Sequence, residues 1–181
     1  MDVVELIMDD HREVERLFDE LKNHPQKRPL LTPVLCALLV AHSRAEEEQV
    51  YPVAKDEAGE TDEVAHSQHE HAEAEQLLVE LVKADPTSPS YDELLAKVVE
   101  AVTHHVREEE STVLPGMRSR LDEGRRAELA EAFAASRAQH LGERPGEASR
   151  QELLQQARNA GITGVSTMSR EDLAKAVQAR S

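Results

Sequence analysis

Two stretches of this 181-residue chain repeat one polar spacing: HSRAEEEQVYP, which starts at His42, and HVREEESTVLP, which starts at His105. Each reads His, three residues, Glu, five residues, Pro. A helical step of four turns about 40° past a full revolution, so His42 and Glu46 share one helix face, as do His105 and Glu109. A second pair of segments also matches, HREVERLF from His11 and HAEAEQLL from His71. All four histidines fall on apolar stripes: His11 between Ile7 and Val14, His42 after Leu35 and Leu38, His71 seven residues before Leu78, and His105 after Val98 and Val102. Buried imidazoles and carboxylates without partners cost several kcal/mol each, and a bound metal removes that cost. Four His and two Glu give one single-plus-pair set for each half of the repeat, which suits two metals bridged by carboxylates. Imidazole and carboxylate ligands without thiolate favour iron or manganese over structural zinc, and helix bundles commonly house such sites.

The elements that must carry these residues are helices. Apolar residues recur at three- and four-residue steps over about Val3 to Lys22 (Ile7, Val14, Phe18, Leu21), Leu30 to Lys55 (Leu31, Leu35, Leu38, Val53), Asp62 to Lys83 (Val64, Leu78, Leu81, Val82) and Tyr91 to Arg120 (Leu95, Val98, Val102, Val113). Pro52 and Pro115 are expected to kink or end the second and fourth helices, and Thr61-Asp62 to cap the third. The spacing predicts a shorter fifth helix over about Arg125 to His140, turned inward through Leu129 and Phe133. Beyond it, Gly142, Pro145 and Gly146 mark a linker, and two short helices opened by Ser149 and Ser169 flank a turn from Gly161 to Met168. The expected organisation is a bundle with its following helix over residues 1–140, a linker over 141–148 and a small tail over 149–181.

Composition agrees with an all-α chain, since aromatic residues make up 2% and Trp is absent. The net charge of −15 argues against a general binder of nucleic acid or anionic membranes. From Gly146 onward five Lys/Arg stand against four Asp/Glu, so the preceding 145 residues carry −16. The single cysteine, Cys36, permits no internal disulfide and reads as a small core residue. No apolar run is long enough to span a bilayer, and the acidic start MDVVELIMDDHREVE is unlike a signal peptide, so a cytoplasmic location is expected. His24, His69, His104 and His140 read as solvated or hydrogen-bonded side chains, and Glu47, Glu48, Glu108 and Glu110 as a solvated face, with Glu110 a competitor of Glu109. Tyr51 is either packed or supports the ligands.

Together DDHREVERLF, HSRAEEEQVYP, HEHAEAEQLL and HHVREEESTVLP, over about Val3 to Arg120, resemble the hemerythrin-like, or HHE cation-binding, family of non-haem di-iron proteins. The resemblance implies a left-handed up-down-up-down four-helix bundle. It also implies two iron ions bridged by an oxo or hydroxo group and by Glu46 and Glu109, with His11, His42, His71 and His105 as the remaining ligands. For activity it implies binding of or reaction with dioxygen, peroxide or nitric oxide, catalase-like turnover among them, or iron and redox sensing. One position departs: oxygen-carrying members place a further histidine one turn before the one matching His71, and here Ser67 stands there. That departure favours reactive or sensory chemistry over oxygen carriage, and makes His66, near the start of its helix, a candidate additional ligand.

The tail resembles the helix-extended-helix module at the N-terminus of the Rho termination factor, in Glu152-Leu153-Leu154, Ala157, Gly161-Ile162-Thr163-Gly164 and Met168 to Leu173. That likeness implies docking to a nucleic acid, through Arg150, Arg158, Arg170 and Lys175, or to a protein. The corresponding alternative is an iron- or redox-responsive adaptor that signals through the tail.

Overall fold

The computed structural model describes residues 1–179; Arg180 and Ser181, the end of the expected tail, lie outside the described residues. Among the described residues the chain is all-helical, an up-down-up-down four-helix bundle with additional helices. Helix α1 (Val3–Asn23) is capped by the Asp2 carboxylate, which accepts from the Val4 amide at 2.9 Å. A 3₁₀ turn at Pro25–Lys27 leads into α2 (Arg28–Ala45).

The long second helix expected from the sequence is interrupted. A π-helical turn at Glu46–Val50 separates α2 from α3 (Tyr51–Asp56), and the Tyr51 amide reaches back five residues to the Glu46 carbonyl. Pro52 has no N–H to offer the Glu48 carbonyl, so the chain takes in an extra residue just before it. The return strokes are α4 (Thr61–Leu81) and α5 (Pro89–Ser111), and α5 breaks at Thr112 before α6 (Val113–Arg120), ahead of Pro115. The N-cap of α4 is Glu60, without a side-chain hydrogen bond, rather than Thr61 or Asp62. Val82, expected inward, is the C-cap of α4 and lies exposed, because the helical stripe ends at Leu81.

The core is divided. Val3, Ile7, Val50, Val64, Val113 and Phe133 belong to one apolar cluster, while Val14, Leu35, Leu78, Leu95, Val98 and Val102 belong to another. His11, His42, His71 and His105 fall between residues of the two clusters along their helices, so a polar layer crosses the bundle there. Helix α7 (Glu123–His140) packs against α1 and α2 and buries Leu129 and Phe133. Cys36 is buried in the second cluster, where burial pushes its thiol up to about 12.

Helices α8 (Arg150–Asn159) and α9 (Arg170–Gln178) begin at Ser149 and Ser169, whose hydroxyls accept from the Glu152 and Asp172 amides. They share a small core of Ala148, Leu153, Ala157, Val165, Leu173 and Val177 and pack against α4, with α8 also touching the π turn. Among the described residues no helix is long and apolar enough to cross a membrane.

Candidate metal centre

The six residues singled out by the repeat meet in one buried layer. His11, His42, His71 and His105 are buried, and Glu46 and Glu109 are 0% exposed. Glu46 lies between the halves, its Oε1 3.2 Å from His42 Nε2 and its Oε2 3.3 Å from His71 Nε2. Glu109 does the same in reverse, with Oε2 3.4 Å from His11 Nε2 and 4.0 Å from His105 Nε2. His71 Nε2 and His105 Nε2 are 3.1 Å apart.

Several of these atoms have no hydrogen-bond partner although they are shut off from water: Nε2 of His11 and His42, both carboxylate oxygens of Glu46, and Oε2 of Glu109. Native interiors rarely leave such groups unpaired. Such a convergence could hold a cation: the sets His11, His42, Glu46 and Glu46, His71, His105 each offer three ligand atoms within 4.8 Å of one another.

The other ring nitrogen of every one of these histidines meets a carboxylate. Asp10 Oδ2 lies 3.1 Å from His42 Nδ1, Glu70 Oε2 2.9 Å from His105 Nδ1, Glu47 Oε1 3.2 Å from His71 Nδ1, and Glu110 Oε1 2.9 Å from His11 Nδ1. Each Nδ1–H donates outward, which fixes the tautomer that presents the Nε2 lone pair inward. The acids preceding His11 and His71 thus support the histidine of their own half, and the acids following Glu46 and Glu109 support one from the other half.

Glu47 and Glu110, expected as a solvated face, therefore face the site. Glu47 is buried, and it also receives Arg44 Nη1 at 3.1 Å, Gln68 Nε2 at 2.9 Å and Gln156 Nε2 at 2.9 Å. The π turn separates the three successive acids: Glu46 into the centre, Glu47 toward His71, and Glu48 toward Ser136 of α7, whose hydroxyl donates to it at 2.8 Å. From the sequence alone, Asp10, Glu47, Glu70 and Glu110 have no assigned role behind the central histidines. Their signal in the sequence is the repeat itself, an acid directly before His11 and His71 and a second acid directly after Glu46 and Glu109.

Tyr51 is fully buried, with its hydroxyl 3.0 Å from His71 Nε2 and donating to Glu109 Oε1 at 3.3 Å. Ser67, also buried, adjoins the Tyr51 hydroxyl. Burial, and then the carboxylates of Glu109, Glu46 and Glu47, hold its phenol well above the usual range, so it stays protonated. Burial alone would lower the His42 and His71 imidazoles. The neighbouring Glu46 and Asp10 instead lift His42 to about 10, and Glu46 and Glu47 lift His71 to about 9. Burial opposes ionisation of Glu47, yet Arg44 and His71 bring it down to about 2.

His66 stands outside this layer: it is exposed, with Nε2 3.3 Å from Glu70 Oε1. His24, His69 and His104 pair with surface carboxylates or with the edge of Glu70, and His140 is buried with Nδ1 2.8 Å from Glu143 Oε1. A cavity of about 20 Å³ opens beside the centre, walled by Val14, Leu39, Ala74, Val102 and Val106. That is room for about one water-sized molecule.

Residues 2–116 match the family described as Hemerythrin HHE cation binding domain. A curated protein of Nostoc sp., named DNA nickase, is 32% identical over 147 residues, which are 78% of this chain but 42% of that protein. The chain thus spans about two fifths of the length of that relative. The crystal structure of a hemerythrin HHE cation-binding-domain protein from Mycobacterium kansasii superposes with a TM-score of 0.70 at 22% identity, covering 97% of this chain and 99% of the other. That likeness establishes the fold, tail region included. With the family match spanning well over half the sequence, the chain belongs to the hemerythrin HHE cation-binding family.

Proposed function

We propose that this chain is a non-haem di-iron protein whose centre binds or reacts with dioxygen, peroxide or nitric oxide, with His11, His42, Glu46, His71, His105 and Glu109 as ligands. One observation carries the reading: unpartnered buried imidazole nitrogens and carboxylate oxygens from α1, α2, the π turn and α5 converge on one layer, with His71 of α4 and His105 of α5 completing it. Each glutamate lies between histidines of both halves, which supports its assignment as a ligand that would be shared between them. Iron, when bound, supplies electrons and open coordination positions to a small ligand. The chain's own residues do the rest. The Asp10, Glu47, Glu70 and Glu110 carboxylates orient the imidazoles, the valine- and leucine-walled cavity admits only a molecule of about water's size, and Tyr51 holds a hydroxyl proton over the centre.

Elemental analysis of protein purified without added metal tests this. Iron, manganese and zinc are counted per chain in wild type and in a His42→Ala, His105→Ala double variant. Two irons per wild-type chain, lost in the variant and accompanied by peroxide or nitric oxide consumption, is the expected result. Equal metal in both proteins would sink the ligand assignment.

A second reading, an iron- or redox-responsive adaptor, is favoured by the tail's grip on the ligand layer, since Gln156 and Asn159 of α8 both bond to Glu47. Its partner surface is more readily a protein than a nucleic acid. The body is strongly acidic, Arg150 donates to the Ser166 and Met168 carbonyls, and Arg170 donates to the Ala148 carbonyl. The name of the Nostoc relative makes supercoiled plasmid the nucleic-acid probe. Plasmid binding or nicking that depends on metal and on the tail would favour nucleic acid as the partner.

A further inference from the structure

Outside the central layer, His66, Glu70 and His104 make a further cluster of side chains able to ligate a metal. His66 and Glu70 stand one turn apart on α4, and His104 of α5 faces them. The Nε2 atoms of His66 and His104 each lie 3.3 Å from the same oxygen, Oε1 of Glu70. Glu70 is 7% exposed, and this Oε1 is buried without a hydrogen-bond partner, while Oε2 accepts from His105. A carboxylate oxygen shielded from water and left unpaired is costly. An ordinary surface ion pair would bring one base to it. Here two imidazoles from two helices converge on one oxygen, and the three ligand atoms lie within 4.8 Å of one another.

We infer that His66, Glu70 and His104 form an accessory divalent-cation site on the outer face of α4 and α5, separate from the central layer and suited to zinc. Two imidazoles and one carboxylate, with a fourth position open to water, match the ligand number and type that zinc takes outside thiolate sites. Magnesium and calcium, which require oxygen ligands, are a poor match. Both histidines are exposed, with 56% and 62% of their side chains accessible, so the cation enters from solvent without opening the bundle. Glu70 then spans two roles, one oxygen on the outer cation and the other on His105. The inference does not depend on which metal fills the centre.

Zinc titration of the protein as purified tests it, by calorimetry and by competition with a chromogenic chelator. Wild type is compared with His66→Ala, His104→Ala and the double variant, none of which alters a buried residue or a residue of the central set. The wild type is expected to take up one zinc more than the double variant, or to bind its tightest exchangeable zinc at least about tenfold more strongly, with each single variant also weakened. Metal already present in the centre should be the same in all four proteins. Zinc held at His140, Glu143 and Glu152, another group of potential ligands, would appear equally in every variant and cancel. Identical zinc number and affinity in wild type and double variant overturns the inference, as does weakening in the variants that tracks loss of the central metal.

Discussion

At the scale of single residues, the central histidines are set for exchange of protons against cations. In the metal-free protein Glu46 and Asp10 hold His42 up to about 10, and Glu46 and Glu47 hold His71 up to about 9, so both carry protons near neutrality. A cation at Nε2 must displace them. Because the folded values are raised above 6.5, the corresponding stabilisation of the metal-free bundle is complete below about pH 6.5 and is lost as pH rises through about 9 to 10. Metal affinity should move the opposite way, climbing with proton release as pH rises toward about 9 to 10. Calorimetry in buffers of unequal ionisation enthalpy measures both, and a pH-independent affinity with no proton release would contradict this picture. The sequence made the six central residues legible because burying that many ionisable groups on apolar stripes needs a partner. It concealed the carboxylates behind them, because Glu47 sits in a run of three acids that looks like an ordinary charged surface until the π turn spreads it apart.

At the scale of elements, helix identity followed from periodicity, while the interruptions followed from proline. Pro52 and Pro115 marked the two breaks. What kind of break each would be was not readable: a proline removes the same N–H in both places, yet the first is absorbed as a π turn and the second as a non-helical Thr112 with φ −124° and ψ −78°. The difference lies in surroundings, since the π turn is gripped by α7 and α8. The two tail helices were legible from their serine caps together with the linker at Gly142 to Gly146 and the turn from Gly161 to Met168. Ser149 forms a reciprocal capping box with Glu152. Replacing Ser149 with Ala should cost about 1 kcal/mol of stability, read as a lower urea midpoint with an unchanged m-value, and a midpoint within error of wild type would show that α8 does not depend on its cap.

At the scale of the whole molecule, the duplicated hairpin gives a centre built twice over, and the tail adds a contact that belongs to neither half. Asn159 donates to the Glu47 carbonyl and to Gln68 Oε1, Gln156 donates to the Glu47 carboxylate, and Arg44, buried beneath them, pairs with Glu47, Glu75 and Glu152. Taking Arg44 to Ala would leave several acids without their buried counter-charge, so a loss of about 3 kcal/mol or more is expected in chemical denaturation. Taking Gln156 and Asn159 together to Leu removes the tail's bonds to Glu47 while keeping side-chain volume. Metal retention against a chelator should then fall by roughly tenfold, and unchanged retention would mean that His71 is held without help from α8. No pattern in the sequence announced this contact, because the tail is nearly neutral and its polar residues look like solvent-facing ones. The docked tail also sets up a reciprocal linkage: whatever free energy α8 lends to cation binding through Glu47, an occupied centre must return to α8 as resistance to being lifted away. A protease or a partner competing for that helix would therefore read, in how easily it peels off, how much metal is available around the protein.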